Sequence, residues 1–339
     1  MKPRRILVLT LKQLVPPDSI EGMSDEEIAP FKTDYDVVAS LHNLGHEVRV
    51  VGLENDLDAL RDAIRDFKPH VVFNLLEEFD GRPELVSYVL GYLELIGQPY
   101  TGCGPVGMMF SQDKALQRKI LRHHRIHVPE FAIIRIGGAI RRPSRLIFPL
   151  IVKSLTEHGS YGISQASIVH DDEKLAERVA FVHGQLGTDA IAEQFISGRE
   201  LYLGIIGNHR LETFPIWELE FGNLPEGAPA IATARVKWDM RYQKSAGVRT
   251  GPADLTDEQR RHVLRMCKRA YRALDQTGYA RMDMRMEQSG RVYLIESNPN
   301  PQLSFGEDFA ESAEAGGLDY ESLLQRIVNL GLRRARTRR

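Results

Sequence analysis

The sequence predicts an α/β amino-terminal region followed by an α+β body, and three observations lead to this fold class. Residues 5–11, RILVLTL, form a short apolar run of the kind that buried parallel strands show. Strand-like and helix-like segments then alternate up to about residue 97. Later in the chain, residues 279–286 and 291–297 alternate polar with apolar side chains, which is strand periodicity.

The amino-terminal region reads as β-α-β-α-β-α, which favours a parallel sheet flanked by helices. Pro16 and Pro17 lie in a loop-like stretch after the first strand, and Gly45 ends the first helix. The predicted segments are strand 5–11, loop 12–34, helix 35–44, strand 46–53, helix 57–67, strand 70–76 and helix 83–97.

A Gly- and Pro-rich connection at residues 99–107 is a plausible domain boundary. The segment that follows reads as a helix, with Ser111 as its N-cap. The predicted segments of the body are helix 111–126, strands 131–136 and 148–153, helix 172–184, strands 190–197 and 200–207, and helix 256–274.

Composition and charge exclude several classes of protein. The apolar fraction is 42%, the charged fraction is 27% and the net charge is −2, so no global charge attracts nucleic acid or anionic lipid. Only the tail LRRARTRR is strongly basic, and we interpret it as a solvated terminus. Cys103 and Cys267 lie far apart and are expected to be reduced thiols. MKPRRILVLTL reads as a first strand and not as a signal peptide, so we expect a cytoplasmic protein that binds neither nucleic acid nor membrane.

The late hairpin carries polar side chains inside apolar strands. Arg281 and Asp283 share one face of the first strand, and Glu296 and Asn298 share one face of the second. Two carboxylates and an amide oxygen suit Mg²⁺, and an arginine beside them suits phosphate. We interpret the hairpin as a magnesium–polyphosphate site. A solvent-exposed polar face is the alternative that the pattern leaves open.

Other polar residues extend this interpretation. Lys153 ends the apolar strand FPLIVK, where an anionic partner is expected, and Gly159, Ser160 and Gly162 follow in a loop of small residues that suits phosphate. Glu193 and Glu200 flank a strand–turn–strand edge and could bind adenine and ribose. An ordinary surface hairpin would give the same patterns, and Lys114 alone reads as a helix-surface lysine. The region lacks the GxxxxGK[ST] and GxGxxG patterns, and the absence of GxGxxG argues against an oxidoreductase.

In combination, these residues resemble a known family, the ATP-grasp carboxylate–amine ligases of the D-alanine–D-alanine ligase group. The resemblance covers roughly residues 70–330. It rests on these segments: VVFNLLEEFDG, PYTGCGPVGMMFSQDKALQRKIL, FPLIVKSLTEHGSYGIS, AEQFISGREL, GYARMDMRMEQSGRVYLIESNPNPQLS and AEAGGLDYESLLQRI. It implies an ATP-grasp fold preceded by a Rossmann-like parallel sheet. The implied domains are an α/β substrate-side domain at 1–110, a central lid subdomain at 111–192 and a carboxyl-terminal subdomain with the metal site and basic tail at 193–339.

The resemblance also implies a role for each matching residue. Lys114 and Lys153 would bind the α- and β-phosphates of ATP, and the loop from His158 to Gly162, with Ser160, would close over the phosphates. Lys237 would reach the γ-phosphate, and Arg281 would stabilise the transferred phosphoryl group. The remaining implied ligands are Glu193 and the backbone near Ile196 for adenine, Glu200 for ribose, and Asp283, Glu296 and Asn298 for two Mg²⁺ ions, with Mn²⁺ as an alternative.

The implied reaction joins a carboxylate to an amine through an acyl phosphate, with ADP as the other product. The implied partners are small amino-acid-like substrates, with a homodimer formed through the amino-terminal domain. Two departures from the family pattern concern the substrates. The front loop LTLKQLVPPDSIEGMSDEEIAPF lacks the family's Gly-Gly turn and Ser-Glu-rich segment. In QLSFGEDF, residues Gln302, Ser304, Glu307 and Asp308 lie where the acceptor is expected.

Glu307 and Asp308 would repel an acceptor carboxylate. We therefore expect a substrate pair other than two D-alanines, although a solvated loop without ligand contact would leave the same residues there. Three further hypotheses stay open: a genuine D-alanine–D-alanine ligase, an ATP-binding regulatory protein without turnover, and a kinase that stops at phosphorylation.

Overall fold

The run RILVLTL becomes the central strand of a three-stranded parallel sheet, as its apolar character predicts. The computed structural model describes residues 2–157, 162–223, 231, 233, 236 and 239–337. The strand order of this sheet is β2-β1-β3, with helices on both faces. The elements of the amino-terminal region are β1 (Arg5–Leu11), α1 (Asp25–Ile28), α2 (Lys32–Asn43), β2 (Glu47–Leu53), α3 (Asp58–Phe67), β3 (Val71–Asn74), α4 (Val86–Leu95) and α5 (Pro105–Gln112).

The central region contains a four-stranded antiparallel sheet with the strand order β4-β7-β5-β6. Leu175 and Val179 of its helix pack against Val152 and Ala192 of the sheet, and this contact buries the apolar side of the helix. The elements are α6 (Lys114–His123), β4 (Phe131–Ile134), β5 (Leu150–Ser154), β6 (Ile168–Val169), α7 (Asp172–Phe181) and β7 (Ala190–Gln194).

The carboxyl-terminal region contains a six-stranded sheet with the order β11-β10-β8-β12-β13, and β9 pairs with β8. A long amphipathic helix covers one face, where Val263 and Tyr271 pack against Leu203 and Met282. The elements are β8 (Arg199–Ile206), β9 (Glu212–Thr213), β10 (Trp217–Phe221), α8 (Met240–Ala246), β11 (Val248–Pro252), α9 (Asp257–Ala273), β12 (Tyr279–Met286), β13 (Val292–Pro299), α10 (Asp308–Ala315) and α11 (Tyr320–Thr337).

One hydrophobic core joins the first and last parts of the chain. Ile6 and Phe73 of the parallel sheet pack in the same cluster as Phe309 of α10 and Ile327 of α11. Arg334 extends this contact, because it donates hydrogen bonds to the backbone oxygens of Gly102 and Tyr100. The carboxyl-terminal helix therefore holds the amino-terminal sheet against the sheet that carries the polar hairpin.

The structure corrects several element boundaries. Ser111 is not an N-cap, because it lies inside α5. Asp113 adopts an extended conformation and accepts a hydrogen bond from the Leu116 N–H, so the expected helix 111–126 is interrupted there. Its first two residues end α5, which begins inside the predicted connection 99–107, and α6 follows Asp113. The loop-like stretch 12–34 contains α1, which begins with a capping box formed by Ser24 and Glu27.

Two further features concern the chain as a whole. Cys103 and Cys267 are both buried and free, as expected from their separation. Within the part of the chain that the structure describes, every helix is too short or too polar to cross a membrane.

Candidate active site

The polar hairpin has the register that brings its functional side chains together. Arg281 lies opposite Asn298, and Asp283 lies opposite Glu296. Directly opposite residues of an antiparallel pair project from the same face, so these four side chains form one group. The prediction that they share a face is confirmed, and the structure supplies the register that the sequence left open.

A β-bulge lies at the inner end of this group. The pairing shifts after Asp283, because Glu296 is its partner while Met284 pairs with Leu294, which leaves Ile295 as the extra residue. Bulges change the direction of neighbouring side chains and increase the local twist. Here the bulge directly follows the Asp283–Glu296 pair, and Ile295 lines a cleft beside the hairpin.

Asp283 is the most heavily engaged carboxylate of the group. Arg281 donates to it from Nε at 2.7 Å and from Nη2 at 2.9 Å, and Asn298 donates from Nδ2 at 2.9 Å. The guanidinium of Arg281 also lies 4.8 Å from the ring centroid of Tyr202. Burial alone would lower the pKa of Arg281, but the Asp283 carboxylate raises it above its ordinary value.

Two lysines approach the hairpin from the central region. The Lys114 Nζ lies 3.7 Å from Glu296 Oε1 and donates a hydrogen bond to the backbone oxygen of Glu157. Burial lowers the pKa of Lys114, while the charge of Glu296 opposes that shift. Lys153 donates to Glu193 at 3.0 Å. Lys114 is thus held beside Glu296 of the hairpin, and Lys153 is held beside Glu193.

Glu193 is the buried counter-ion of this cluster. It is 1% exposed and also accepts a hydrogen bond from Arg118 Nε at 2.8 Å. Burial would raise the pKa of Glu193, but Arg118 and Lys153 together lower it to about 2. Arg118 is a residue that the sequence interpretation missed. The signal was available, because Arg118 follows Lys114 by four residues and so lies on the same face of a helix.

A cleft lies between Lys153 and Glu193 of the central region and Asp283 and Glu296 of the hairpin. Its lining includes Lys153, Glu193, Ile196, Glu200, Asp283 and Glu296 from among the predicted site residues. Apolar side chains form much of the remaining wall: Ile151, Ile163, Phe195, Ile231, Met284 and Ile295. A cleft lined mainly by apolar side chains, with a few charged groups among them, is a common form of small-molecule site.

Glu200 is fixed within this cleft by two neighbours. Arg285 Nη2 donates to it at 2.5 Å, and the Tyr202 hydroxyl donates at 2.8 Å. Arg285 lies two residues beyond Asp283 on the same strand, so the alternation that predicted the polar face also contained this residue.

The donors on the hairpin fit a hard divalent cation. Asp283 and Glu296 supply carboxylate oxygens, and Asn298 supplies an amide oxygen on the same face. In the described part of the chain, no cluster of three or more His, Cys, Asp or Glu side chains forms a complete cage. Mg²⁺ does not need such a cage, because it commonly binds one or two carboxylates and keeps water and phosphate oxygens as its other ligands.

Three predicted ATP-binding residues, Gly159, Ser160 and Lys237, lie outside the described residues. Gly162 belongs to the described residues. It has a φ of +70°, which favours glycine, and its backbone oxygen accepts a hydrogen bond from Arg178.

The predicted acceptor segment, residues 302–308, is anchored to the beginning of α2. The buried Ser304 hydroxyl forms a 2.6 Å hydrogen bond with Thr33, and Gln302 donates to Ser304 at 3.2 Å. Asp36 accepts a hydrogen bond from the Phe305 N–H. Glu307 is the N-cap of α10 and is exposed.

Asp308 and Asp34 add negative charge near this segment. The charge of Asp308 acts on both Arg281 and Tyr202, which places it beside the polar hairpin. Asp34 is buried in the first turn of α2 and accepts a hydrogen bond from Thr10. Burial raises the pKa of Asp34 to about 6, while Thr10 opposes this shift.

Comparison with known proteins shows the family of this chain. Residues 120–329 match the family model described as the D-ala D-ala ligase C-terminus. The chain belongs to the D-alanine–D-alanine ligase family. It is an ATP-grasp enzyme, an ATP-dependent carboxylate–amine ligase.

The similarity to individual relatives covers most of this chain and most of each relative. The uncharacterized protein y4sG of Sinorhizobium fredii is 30% identical over 306 residues, which cover 88% of this chain and 87% of that protein. The D-alanine–D-alanine ligase of Desulforudis audaxviator is 28% identical and covers 92% of this chain and 97% of its own. The ATP complex of the Bacillus anthracis D-alanine–D-alanine ligase superposes with a TM-score of 0.77 at 23% identity, covering 99% of this ligase and 100% of that chain. The ATP-grasp fold is thereby confirmed.

Proposed function

We propose that this ligase phosphorylates a small carboxylate with ATP and then joins the activated acyl group to an amine other than a second D-alanine. The arrangement that carries the proposal is the convergence of Lys114 and Lys153 on the hairpin with Arg281, Asp283 and Glu296. Positive and metal-binding groups beside a cleft with apolar walls suit a nucleoside triphosphate.

The cleft supports a specific placement of ATP. Adenine would lie against the apolar wall formed by Ile151 and Met284, with the Ile196 backbone and Glu193 at its polar edge. Glu200, held by Arg285, would accept from the ribose hydroxyls. A triphosphate beside Lys114 would supply the negative charge that a buried ammonium requires. Gly159, Ser160 and Lys237 are proposed to contact the phosphates.

Asp283, Glu296 and Asn298 would hold two Mg²⁺ ions. Mg²⁺ held by these residues would supply positive charge that neutralises the phosphates during phosphoryl transfer. Arg281 would stabilise the transferred phosphoryl group beside them. Its bidentate contact with Asp283 and its position over Tyr202 fix the direction of the guanidinium. A preorganised cation stabilises charge without reorganisation during the reaction.

The proposed chemistry has two balanced steps. A substrate carboxylate oxygen attacks the γ-phosphorus, the bond to the β-phosphate oxygen breaks, and ADP leaves. The amine nitrogen then attacks the acyl carbon, the acyl–phosphate bond breaks, and phosphate leaves while the nitrogen loses a proton to form the amide. Arg281 would stay beside the phosphoryl group in the first step and beside the tetrahedral centre in the second.

Glu307 and Asp308 support a particular class of amine substrate. Both carboxylates lie at the beginning of α10, and the charge of Asp308 reaches Arg281. An acceptor with its own carboxylate at this position would be repelled. We therefore favour an acceptor that is cationic or lacks a carboxylate there. The names of relatives such as the Desulforudis enzyme keep a true D-alanine–D-alanine ligase as the second candidate.

We also propose a homodimer formed through α4 and α5. Tyr88, Leu95, Val106 and Met109 are 66%, 88%, 44% and 46% exposed. Clustered exposed apolar side chains on neighbouring helices are typical of an interface between proteins. Leu95→Asp is expected to convert a dimer to a monomer in size-exclusion chromatography with light scattering. Ile147→Asp, at a 71% exposed position on another region, should leave the dimer intact.

The function is tested by measuring ADP release and amide product together. Mg²⁺-ATP is incubated with a matrix of amino acids and amines, including D-alanine alone, and products are identified by mass spectrometry. One carboxylate–amine pair should give ADP and amide in equal amounts. Asp283→Asn should abolish both, whereas Asp254→Asn, the same change at an exposed position, should not. ADP release without amide from every pair would support the kinase hypothesis instead.

A further inference from the structure

Gln117 makes two hydrogen bonds to the backbone of a single residue in the metal-binding strand. Its Nε2 donates to the Ser297 backbone oxygen at 3.1 Å, and its Oε1 accepts from the Ser297 N–H at 3.1 Å. Both residues are buried, with exposures of 0% and 1%. Ser297 lies between Glu296 and Asn298, the two proposed Mg²⁺ ligands of this strand.

The location of β13 explains what these hydrogen bonds do. In the strand order of its sheet β13 is the last member, so the described strands pair with only one of its two sides. The Gln117 amide takes the place of a neighbouring strand at Ser297, because it satisfies one backbone N–H and one backbone C=O. Buried backbone N–H and C=O groups without a hydrogen-bond partner would raise the free energy of the folded state.

The bulge increases the importance of this outer contact. Regular pairing with β12 is interrupted at Ile295, next to Glu296, so the inner ladder alone constrains this segment less than a regular strand. Gln117 holds the backbone one residue beyond Glu296 and one residue before Asn298. It also connects this segment to the Lys114 and Arg118 cluster, because Arg118 Nη1 donates to Gln117 Oε1 at 3.1 Å.

We infer that Gln117 is a positioning residue that sets the affinity of the metal site by fixing the backbone between Glu296 and Asn298. The inference rests on the proposed function, since it takes these two residues as metal ligands. Groups that orient metal ligands without touching the ion commonly affect metal affinity 10–100-fold.

A second glutamine in the same network provides a matched control. Gln276 is 3% exposed and contacts the same serine, but it accepts from the Ser297 hydroxyl at 3.0 Å and does not bind its backbone. Its Nε2 donates to the Ser111 hydroxyl at 3.1 Å. Gln276→Met therefore removes two side-chain hydrogen bonds from this buried network and Gln117→Met removes three, and only Gln117→Met releases the backbone beside the metal ligands.

The experiment measures Mn²⁺ binding in the presence of ADP by electron paramagnetic resonance of the free ion. Gln117→Met is expected to weaken Mn²⁺ binding about tenfold. Gln276→Met should stay within about twofold of the unmodified protein. ADP binding measured in EDTA by calorimetry should be unchanged in both variants. General loosening of the fold would weaken ADP binding as well, so the two measurements separate positioning from stability.

A third variant keeps the inference testable if Gln117→Met does not fold. Gln117→Glu retains an acceptor for the Ser297 N–H and loses the donor to the Ser297 oxygen, so an intermediate loss of Mn²⁺ affinity is expected. Equal Mn²⁺ affinity of the Gln117 variants and the unmodified protein would overturn the inference. Glu296→Gln tests the proposed metal site itself. If this variant binds Mn²⁺ as well as the unmodified protein does, the proposed metal site is wrong.

Discussion

The guanidinium of Arg281 donates to both carboxylate oxygens of Asp283, two residues away on the same strand, at 2.7 and 2.9 Å. The pair lies on one face of β12 because strand residues two apart share a face. Each partner is less than one fifth exposed. Asp283 therefore fixes Arg281 and keeps it charged within the polar hairpin, where phosphoryl transfer is proposed to occur.

Arg281→Lys is expected to reduce the rate of amide formation about 100–1,000-fold. Lysine keeps the charge but cannot donate from two parallel N–H groups to one carboxylate. Affinity for ATP should change much less than the rate, since the lysines and the apolar cleft are untouched. Steady-state kinetics and ATP-binding calorimetry measure the two effects. Arg291→Lys, in the exposed hairpin turn, is the control, and an equal loss there would contradict the assigned role.

Arg118→Met is expected to lower the free energy of unfolding by about 3–5 kcal/mol, because it leaves Glu193 buried with one cationic partner removed. Arg122→Met provides a comparison one turn later, where the ion pair with Glu130 is roughly half exposed. That change should cost about 1 kcal/mol or less. Urea unfolding of both variants measures the difference, and similar losses would contradict the contrast between a buried and a surface pair.

The buried Glu193 also predicts a pH dependence. The pKa of its carboxyl is lowered in the folded state to about 2 from 4.5, so the folded protein binds the proton less readily than the unfolded chain. Its contribution is therefore present above about pH 4.5 and is lost as the pH falls toward 2. In Glu193→Gln, the free energy of unfolding measured in urea should depend less on pH in this range than it does in the unmodified protein. An unchanged pH dependence would contradict the lowered pKa assigned to Glu193.

Asp34→Asn is expected to stabilise the protein at neutral pH. Burial raises the pKa of Asp34 in the folded state to about 6 from 3.8, so the stability of the unmodified protein falls as the pH rises between these values. Asparagine has no charge to bury and retains an oxygen that can accept from Thr10. A gain of about 1–3 kcal/mol is expected at pH 7.5, with no gain caused by this titration below about pH 3.8. If the gain in stability did not depend on pH, the buried charge of Asp34 would not be its cause.

Asp308→Asn is expected to favour acceptors that carry a carboxylate. The substitution removes a negative charge near Arg281, and the ratio of kcat/KM for an amino acid to that for its amide should rise about 3–10-fold, as expected for a change of roughly 1 kcal/mol in a partly solvated charge interaction. Glu314→Gln, at an exposed position later in α10, should leave the ratio unchanged. An unchanged ratio in Asp308→Asn would remove this residue from acceptor recognition.

The polar hairpin could be predicted from sequence because its information is local. Alternation assigns Arg281 and Asp283 to one face, and the short turn leaves few registers for Glu296 and Asn298. The bulge at Ile295 could not be predicted, since it appears only in the pairing with β12. The same alternation also places Arg285 on the face that carries Asp283.

Residues that depend on contacts between distant segments were harder to find. The Glu193–Arg118 pair joins residues 75 apart, and neither position has a local pattern that names its partner. The break at Asp113 was hidden because residues 111–126 have a continuous helical pattern. The carboxyl-terminal helix α11 was not predicted as a helix; its role is clear only from the core that it shares with β1 and β3.

In the proposed reaction, the carboxylate is activated as an acyl phosphate before the amide forms. The most direct measurement uses the carboxylate identified by the substrate matrix, labelled with ¹⁸O in its carboxyl group, and examines released phosphate by ³¹P nuclear magnetic resonance. One ¹⁸O atom should appear in the phosphate for each amide formed. Amide formation with unlabelled phosphate would contradict the account, because the carboxylate oxygen would then not have attacked the γ-phosphate.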